Sequence, residues 1–171
     1  IKNSVIAVRM IPALVYTIPY YIIYSKIHLL DTMTGLIMAY ISFALPLAIW
    51  LSISFFYEIP DELYEAAEID GCTEYGMYTK IALPLVKAGL VVIAILVFIG
   101  AWNELIAGSI FISTPEMWTI PVGLKTLIGK YNVEWGLLMA GGVMALIPTA
   151  LMFAVMQKFI VEGMTAGAVK E

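Results

Sequence analysis

An all-α bundle of membrane-spanning helices is the fold that the 171-residue sequence predicts. Apolar residues make up 62% of the chain and charged residues 13%, whereas soluble domains average about half apolar and about a quarter charged. The apolar residues are collected in four long stretches that lack the sustained alternation of apolar and polar residues typical of membrane barrels. A soluble protein of this length could not bury so much apolar surface, so we expect the surrounding solvent to be largely lipid.

Each of the four stretches is long enough to cross a bilayer, which takes about 20 residues of helix. The predicted spans cover about residues 5–24, 35–56, 85–105 and 137–159. A proline inside a spanning helix frees a carbonyl group that neighbouring helices must satisfy. Such prolines are Pro12, Pro19, Pro46 and Pro148. The sequence begins at Ile1 without an initiator methionine, so we expect its native start to lie upstream.

The distribution of basic residues favours one orientation in the membrane. Loop 57–84 and the tail 160–171 are then cytoplasmic, and the long loop 107–133, which shows no clear secondary structure, is external. Six basic residues lie inside and three outside on this orientation, as the positive-inside rule expects. The inner set is Lys2, Arg9, Lys80, Lys87, Lys158 and Lys170, and the outer set is Lys26, Lys125 and Lys130.

Loop 57–84 is predicted to contain one short helix that ends before Gly71. Pro60 suits the first helical turn, where its missing N–H costs nothing, and acidic residues follow at the positive end of the helix dipole. Gly71 comes just after the last helical residue, where a left-handed cap is needed. One face carries residues at i, i+3, i+4 and i+7, namely Leu63, Ala66, Ala67 and Asp70. The two alanines would let a partner approach the helix backbone closely. The acidic residues by themselves are equally explained by a helix that is simply exposed to water and has no partner.

Several classes of function are disfavoured by the composition. One cysteine and one histidine exclude an intrachain disulfide and a conventional metal site,, and the lack of a basic cluster argues against nucleic-acid binding. The sequence shows neither a nucleophile paired with a base nor a glycine-rich phosphate loop, so we expect neither catalysis nor a bound cofactor. Polar residues inside the spans are then the candidates for a substrate pathway. They include Ser42, Asn103, Glu104 and Thr149.

A spaced pattern in loop 57–84 points to a family. The Glu-Ala-Ala triplet at 65–67 is followed after three residues by Gly71, and after nine more by Ile-Ala-Leu-Pro at 81–84. This resembles, at every defining position, the cytoplasmic EAA loop of permease subunits of ATP-binding cassette importers. The segments 100–104 and 163–170 resemble carbohydrate-uptake permeases of the maltose type. The likeness covers nearly the whole chain and departs from the family at Cys72, Leu105 and Glu162.

The resemblance implies three contact regions. A cytoplasmic coupling helix would lie in a groove of a separate ATP-hydrolysing subunit. Its contact residues would be Glu65, Ala66, Ala67, Asp70, Gly71, Leu83 and Pro84. The tail would reach the interface of the ATPase pair through Thr165, Ala166, Gly167 and Ala168. The outer loop would contact an external binding protein through Pro115, Trp118, Pro121 and Gly123.

By the same resemblance, the complete protein has about six spans and lies in the inner membrane of a prokaryotic cell. It would work with a second permease subunit, an ATPase pair that binds ATP and Mg²⁺, and a binding protein that delivers a sugar. Two alternatives remain open, a permease of the same class for a non-sugar solute and an ion-coupled secondary transporter. The latter would show internal repeats and charges at mid-membrane, whereas Arg9 and Glu104 lie near the ends of their spans.

Overall fold

The computed structural model describes residues 10–129 and 132–168, and the predicted all-α class is confirmed over this range. The helices are α1 (Ala13–Lys26), α2 (Met33–Tyr57), α3 (Asp61–Ile69), α4 (Glu74–Met77), α5 (Leu83–Trp102), α6 (Ile106–Phe111), α7 (Ile120–Thr126) and α8 (Trp135–Ala168). A π-helical turn at Tyr78–Ala82 joins α4 to α5, and a 3₁₀ turn at Pro115–Met117 precedes α7. Among the described residues, the β pairing consists of one isolated bridge between Ile128 and Val133.

Three helices of the described part are long and apolar enough to cross a membrane. They are Met33–Tyr57, Glu74–Trp102 and Trp135–Phe159, and they correspond to the second, third and fourth predicted spans. The first predicted span begins outside the described residues, and its described helix, α1, has 14 residues. That is about 21 Å of helix, against a hydrocarbon core of about 30 Å. A fourth span therefore stays a prediction.

Helix α5 packs against both α2 and α8. A Cβ added at Gly89 would lie 2.7 Å from ring atoms of Phe55, so this ring lies directly on the backbone of α5. At the other end of α5, the indole Nε1 of Trp102 donates a hydrogen bond of 3.0 Å to the carbonyl of Ala145. Ala145 lies three residues before Pro148, which disturbs the backbone hydrogen bonds of that turn,. The carbonyl that loses its backbone donor to Pro148 is that of Met144, four residues back, so the Trp102 bond joins α5 to the turn beside the proline and does not replace the missing donor.

Buried side chains form two clusters, one at each end of the bundle. At the end that carries α3, Ile59, Ala82 and Val86 are buried and pack against half-buried residues of α2, α3 and α5. At the opposite end, which carries α6, the buried members are Tyr24, Leu36, Ala39, Ala107, Phe111 and Ile112. We call these the α3 end and the α6 end. Many large apolar side chains of α2 and α8 are exposed on this chain, as expected for surfaces that face lipid or another subunit,.

Three segments predicted as loops are more helical than the sequence indicates. Loop 107–133 contains most of α6, the 3₁₀ turn and α7, folded over the buried side chains of Phe111 and Val122. The tail predicted from residue 160 continues α8 as far as Ala168, and the side chains of residues 160–171 lie outside the described part. Loop 57–84 ends in α4 and the π-helical turn, which run directly into α5. These segments are short or contain Gly and Pro, so helical periodicity does not show in their sequence.

Candidate coupling helix and candidate pathway residues

Helix α3 begins where a proline and two acids favour it. Pro60 occupies the N-cap position with φ −60° and ψ 138°, one residue earlier than the sequence predicts. Its ring fixes φ near this value, which aims the chain into the first turn. Asp61 and Glu62 then lie in the first turn, where the partial positive charge of the helix dipole favours carboxylates.

The end of α3 is a glycine cap of the predicted kind. Gly71 has φ +76°, a left-handed conformation that L-residues with a side chain seldom adopt. The N–H of Gly71 bonds to the carbonyl of Glu68 at 3.0 Å, and the N–H of Cys72 bonds to that of Ala67 at 2.9 Å, which together make a Schellman motif. A Cβ at Gly71 would meet nothing within 4 Å. The backbone angle, rather than space, therefore requires glycine here.

The outward face of α3 is shifted by one residue from the predicted face. Ala67 is only 6% exposed, because this side of α3 is turned towards the rest of the chain. Tyr64, three residues earlier, packs on the cluster of Ile59, Ala82 and Val86. The exposed residues at i, i+3, i+4 and i+7 are Glu62, Glu65, Ala66 and Ile69,. The predicted set of Leu63, Ala66, Ala67 and Asp70 is thus not one free face, since Ala67 anchors the helix to its own chain.

Ile69 is the most exposed large apolar side chain of this acidic segment. It is 87% exposed, and the seven acidic residues between Glu58 and Glu74 are all exposed around it. An exposed acidic segment between two spans suits a basic partner surface, and Ile69 adds an apolar contact to it. The surface is therefore complementary to a basic groove with an apolar pocket.

Helix α4, the π-helical turn and α5 are continuous, whereas a non-helical turn at residues 70–73 separates them from α3. Thr73 caps α4, since its Oγ1 accepts a hydrogen bond from the N–H of Gly76 at 3.2 Å. The N–H of Leu83 bonds to the carbonyl of Tyr78, five residues back, which closes the π-helical turn. The next residue, Pro84, has no N–H and disturbs regular i to i−4 pairing. The structure places Leu83 and Pro84 at the start of α5 rather than on the exposed face of α3.

At the α6 end, Glu104 has a structural role. Its Oε1 accepts hydrogen bonds from the N–H groups of Ile106 at 2.7 Å and Ala107 at 2.9 Å, and its Oε2 accepts one from Gly108 at 3.1 Å. The carboxylate therefore caps α6, whose first N–H groups have no partner within the helix. This side chain fixes the corner between α5 and α6.

The other three predicted pathway residues are bonded within their own helical segments. The Ser42 hydroxyl donates to the carbonyl of Met38 at 2.8 Å, and the Asn103 amide donates to that of Ile99 at 2.8 Å. The Thr149 hydroxyl lies 3.5 Å from the carbonyl of Ala145. These contacts give each group a local partner, and a role in the pathway stays a prediction.

Polar groups that the sequence analysis missed lie nearby. The hydroxyl oxygens of Tyr40, Ser109 and Thr119 are buried and have no hydrogen-bond partner among the described residues. Tyr40 lies on α2, and Thr119 directly precedes α7. A tyrosine within an apolar span was a visible signal in the sequence, whereas the folding of Thr119 onto it depends on the tertiary structure.

The outer loop is held to the α1–α2 corner by Asp31. Its Oδ1 accepts hydrogen bonds from the N–H groups of Ser113 at 2.8 Å and Thr114 at 2.9 Å, and its Oδ2 accepts one from the Thr114 hydroxyl at 2.6 Å. The bond from the Thr114 hydroxyl, followed by those from the two N–H groups, holds the pKa of Asp31 below its ordinary value,. We call this group of three residues the Asp31 latch.

The predicted binding-protein contacts are only partly at the surface. Pro115 is exposed at the start of the 3₁₀ turn, but Trp118 is half-buried and packs against the cluster at the α6 end. Pro121 and Gly123 are half-buried in α7. Contact of these residues with a binding protein stays a prediction.

These features define a multi-pass α-helical membrane protein that presents one exposed acidic helix between two spans. Residues 1–165 match the family described as binding-protein-dependent transport system inner membrane component. The chain belongs to this family, and it is a multi-pass protein of the inner membrane.

Curated relatives of the chain include proteins named for sugars. The trehalose transport system permease protein SugB of Mycobacterium tuberculosis is 40% identical over 170 residues, which cover 98% of this chain and 62% of SugB. The arabinooligosaccharides transport system permease protein AraQ of Halalkalibacterium halodurans is 35% identical over 166 residues, which cover 97% of this chain and 59% of AraQ. The sulfoquinovosyl glycerol transport system permease protein SmoH of Agrobacterium fabrum is 35% identical over 170 residues, which cover 99% of this chain and 60% of SmoH. The chain spans about three-fifths of the length of these relatives.

Proposed function

We propose that the complete protein is the membrane-spanning permease subunit of an ATP-driven importer that takes up a sugar or an oligosaccharide. The family and the names of the three relatives support the class of transport and the class of substrate. The observation that carries the proposal is the outward face of α3, where Ile69 is 87% exposed among carboxylates. This face is the contact through which a separate ATP-hydrolysing subunit drives the spans.

The partner of α3 carries a basic groove with an apolar pocket. Glu62 and Glu65 pair with basic side chains of the groove, and Ala66 lets its wall approach the backbone closely. Ile69 fills the pocket, as a central anchor does in other protein interfaces. The ATPase pair binds ATP and Mg²⁺, and this chain supplies neither a catalytic group nor a cofactor site.

Helix α3 is mounted so that movement of the partner reaches the bundle. Ile59 and Tyr64 join α3 to a cluster that includes Val86 of α5, and the π-helical turn connects α4 rigidly to the same span. A push on α3 is therefore transmitted to α5 through packed side chains. The bundle then alternates between inward-facing and outward-facing arrangements, biased by closure of the ATPase pair.

The remaining contacts follow from the same assembly. The extension of α8 as a helix to Ala168 supports a role for its end, with Thr165 to Ala168, at the interface of the ATPase pair. The exposed Pro115 turn receives the external binding protein, which delivers the sugar. A second permease subunit covers apolar surface of the spans that this chain leaves exposed.

Reconstitution of the full-length permease with its ATPase, second permease and binding protein tests the function. Proteoliposomes are supplied with labelled trehalose, arabinotriose or sulfoquinovosyl glycerol, with and without ATP inside. We expect ATP-dependent accumulation of at least one sugar, lost with a hydrolysis-deficient ATPase. Uptake that survives loss of hydrolysis but collapses with an ionophore would instead indicate an ion-coupled transporter. ATP hydrolysis stimulated only by a binding protein for another solute would overturn the assignment to sugars.

Cysteine labelling tests the orientation on which the coupling role depends. In a Cys72→Ser background, Thr126→Cys should react with an impermeant thiol reagent in intact cells, because Thr126 is exposed on the outer loop. Glu68→Cys, exposed on α3, should react only after permeabilisation. The reverse pattern would place α3 outside and remove the coupling role.

A further inference from the structure

One side of the helix that runs from α4 through the π-helical turn into α5 is largely exposed, and its chemistry changes along the span. Lys80, Pro84 and Lys87 are exposed at i, i+4 and i+7, so they lie on the same side of this helix,. The same side continues with Val91, which is half-buried, and Ala94, which is exposed. It is therefore basic near the α3 end and apolar towards the middle of the span.

The two lysines have no partner in the part of the chain whose side chains the structure describes. Neither makes a hydrogen bond or an ion pair there. The sequence contains no aspartate or glutamate between residues 75 and 103, because the acidic segment ends at Glu74. Two cations on one side of a spanning helix are costly next to lipid unless an anion reaches them.

The position of the lysines along the helix sets their depth in the membrane. Tyr75 and Tyr78 are 77% and 50% exposed, as is typical of aromatic side chains at the level of the lipid headgroups. Lys80 lies within one turn of Tyr78, and Lys87 lies about 10 Å further into the membrane,. A lysine near the end of a span lays its apolar stem along the helix and turns its ammonium group back towards the headgroups. Both ammonium groups therefore face the same layer of lipid phosphates.

We propose that Lys80 and Lys87 bind the headgroup of an anionic phospholipid, with an acyl chain of that lipid along Val91 and Ala94. This site goes beyond the proposed function and does not depend on which solute the importer carries. Basic sites at the ends of spanning helices are a usual form of site for anionic headgroups. The short side chains of Pro84 and Ala94 leave room for the lipid against the helix. The bound lipid fixes the depth of the π-helical turn in the membrane.

Charge complementarity favours a lipid over another protein as the occupant of this side. A protein that covered it would have to supply carboxylates to both lysines at the edge of the hydrocarbon layer, where such groups are rare. Anionic headgroups are present at this level wherever the bilayer contains anionic lipid. The carboxylates between Glu58 and Glu74 repel the same headgroups, so the charge of this end is divided between a membrane-facing basic part and an acidic part that the membrane repels,.

Photo-crosslinking in the assembled importer tests the site. The full-length permease and its partner subunits are reconstituted in phosphatidylcholine bilayers with a trace of photoactivatable phosphatidylglycerol. A parallel sample contains photoactivatable phosphatidylcholine with the same diazirine-bearing acyl chain. Mass spectrometry measures the labelling of the peptide that contains Val91 and Ala94. The variants are Lys80→Gln and Lys87→Gln, with Lys80→Arg and Lys87→Arg as counterparts that keep the charge. Lys125→Gln removes the same charge from an exposed position on α7, at the opposite end of the bundle, and is the control.

We expect phosphatidylglycerol to label this peptide at least about tenfold more strongly than phosphatidylcholine in the wild type, because each lysine contributes a factor of about five. Lys80→Gln and Lys87→Gln should each lower the labelling by phosphatidylglycerol about fivefold and leave that by phosphatidylcholine unchanged. Both arginine variants and Lys125→Gln should be labelled like the wild type.

Four results would each overturn the lipid site while leaving the proposed importer function intact. Equal labelling by the two lipids in the wild type would mean that lipid lies here without recognition of its headgroup. No labelling by either lipid would mean that another part of the importer covers this side. Loss of the preference on addition of inorganic phosphate would assign the lysines to a soluble anion. A fall in the thermal stability of Lys87→Gln that is equal with and without phosphatidylglycerol would assign Lys87 to a protein carboxylate.

Discussion

The two ends of the bundle are built in opposite ways. At the α6 end, Glu104 and Asp31 each accept three hydrogen bonds from a neighbouring segment. The α3 end has a small buried cluster, and beyond it one helix whose polar side chains are turned outward. The first end is fixed by its own residues, whereas the second leaves its most distinctive side chain, Ile69, in the open.

This difference separates residues that hold the chain from residues that are free to bind. Acidic side chains occur at both ends of the bundle. The carboxylates of Glu104 and Asp31 accept hydrogen bonds from backbone N–H groups, whereas Glu62 and Glu65 are exposed on the outward face of α3. The type of residue alone therefore does not distinguish a cap from a contact. The hydrogen bonds around each carboxylate do.

The largest effect is expected from truncation of the anchor on α3. Ile69→Ala should weaken association with the ATPase subunit by at least about thirtyfold, since loss of a central anchor typically costs about 2 kcal/mol or more. Membrane insertion and thermal unfolding of the permease should not change, because the side chain is 87% exposed. Binding of the purified ATPase to the permease in detergent measures the effect.

Leu63→Ala is the matched control, because Leu63 lies on the face that the sequence predicts. It is 42% exposed, and its truncation should change the affinity for the ATPase by less than about 0.5 kcal/mol. If Leu63→Ala weakens binding more than Ile69→Ala does, the face predicted from the sequence is the correct one and the shifted face is wrong.

A smaller effect is expected from the cap of α3. Gly71→Ala should destabilise this corner by about 1–2 kcal/mol, because a Cβ is unfavourable at φ +76°,. Gly71→Asn should cost less, since asparagine tolerates the left-handed region. Hydrogen exchange of the α3 amides in the intact complex would show the loss of protection.

Gly142→Ala provides the contrast for Gly71→Ala. Gly142 lies inside α8, and an added Cβ would meet nothing within 4 Å on this chain. Alanine there should be neutral or stabilising by about 0.5–1 kcal/mol. Equal loss of protection of α3 in both variants would show that the left-handed angle at Gly71 does not matter.

Much of the fold was predictable because long apolar runs carry their own signal. The second span was predicted at 35–56 and is a helix at Met33–Tyr57. Gly71 was also predictable, since helix caps depend on a few neighbouring residues. The helicity of loop 107–133 was not, because α6 has six residues and is stabilised by Glu104 and by packing of Phe111 rather than by its own periodicity.

The candidate site was predictable in position but not in detail. The pattern at 65–71 located α3, yet four exposed positions at 62, 65, 66 and 69 follow the same spacing as the predicted set. Periodicity alone cannot choose between two faces one residue apart. Burial of Ala67 by the rest of the chain favours the face at 62, 65, 66 and 69. The same holds for Tyr40, whose unpaired hydroxyl follows from contacts with α6 and the start of α7.

The Asp31 latch should show a pH-dependent effect. Since the folded-state pKa of Asp31 lies below its unfolded value of about 3.9, the latch contributes fully above that value and is lost as pH falls through the folded pKa,. Asp31→Asn does not titrate, and asparagine tolerates the φ of +55° at this position,. The thermal midpoint should therefore fall less for the variant than for the wild type between about pH 5 and pH 3. If the thermal midpoints of the variant and the wild type fall equally with pH, the ionised carboxylate of Asp31 does not stabilise the latch.

The smallest effect is expected from a single hydrogen bond between two spans. Trp102→Phe removes the Nε1–H that donates to the carbonyl of Ala145 at 3.0 Å and keeps an aromatic ring to stack on Phe98. Hydrogen bonds between spanning helices average about 0.6 kcal/mol, because the unfolded state in the membrane also finds partners. Reversible unfolding in mixed micelles should show a loss of this size, while Trp102→Ala should lose more because the ring is removed as well. A loss of about 2 kcal/mol or more in Trp102→Phe would mean that the Thr149 hydroxyl, 3.5 Å from the Ala145 carbonyl, does not replace the lost bond. The α6 end would then depend on this one bond rather than on many small ones.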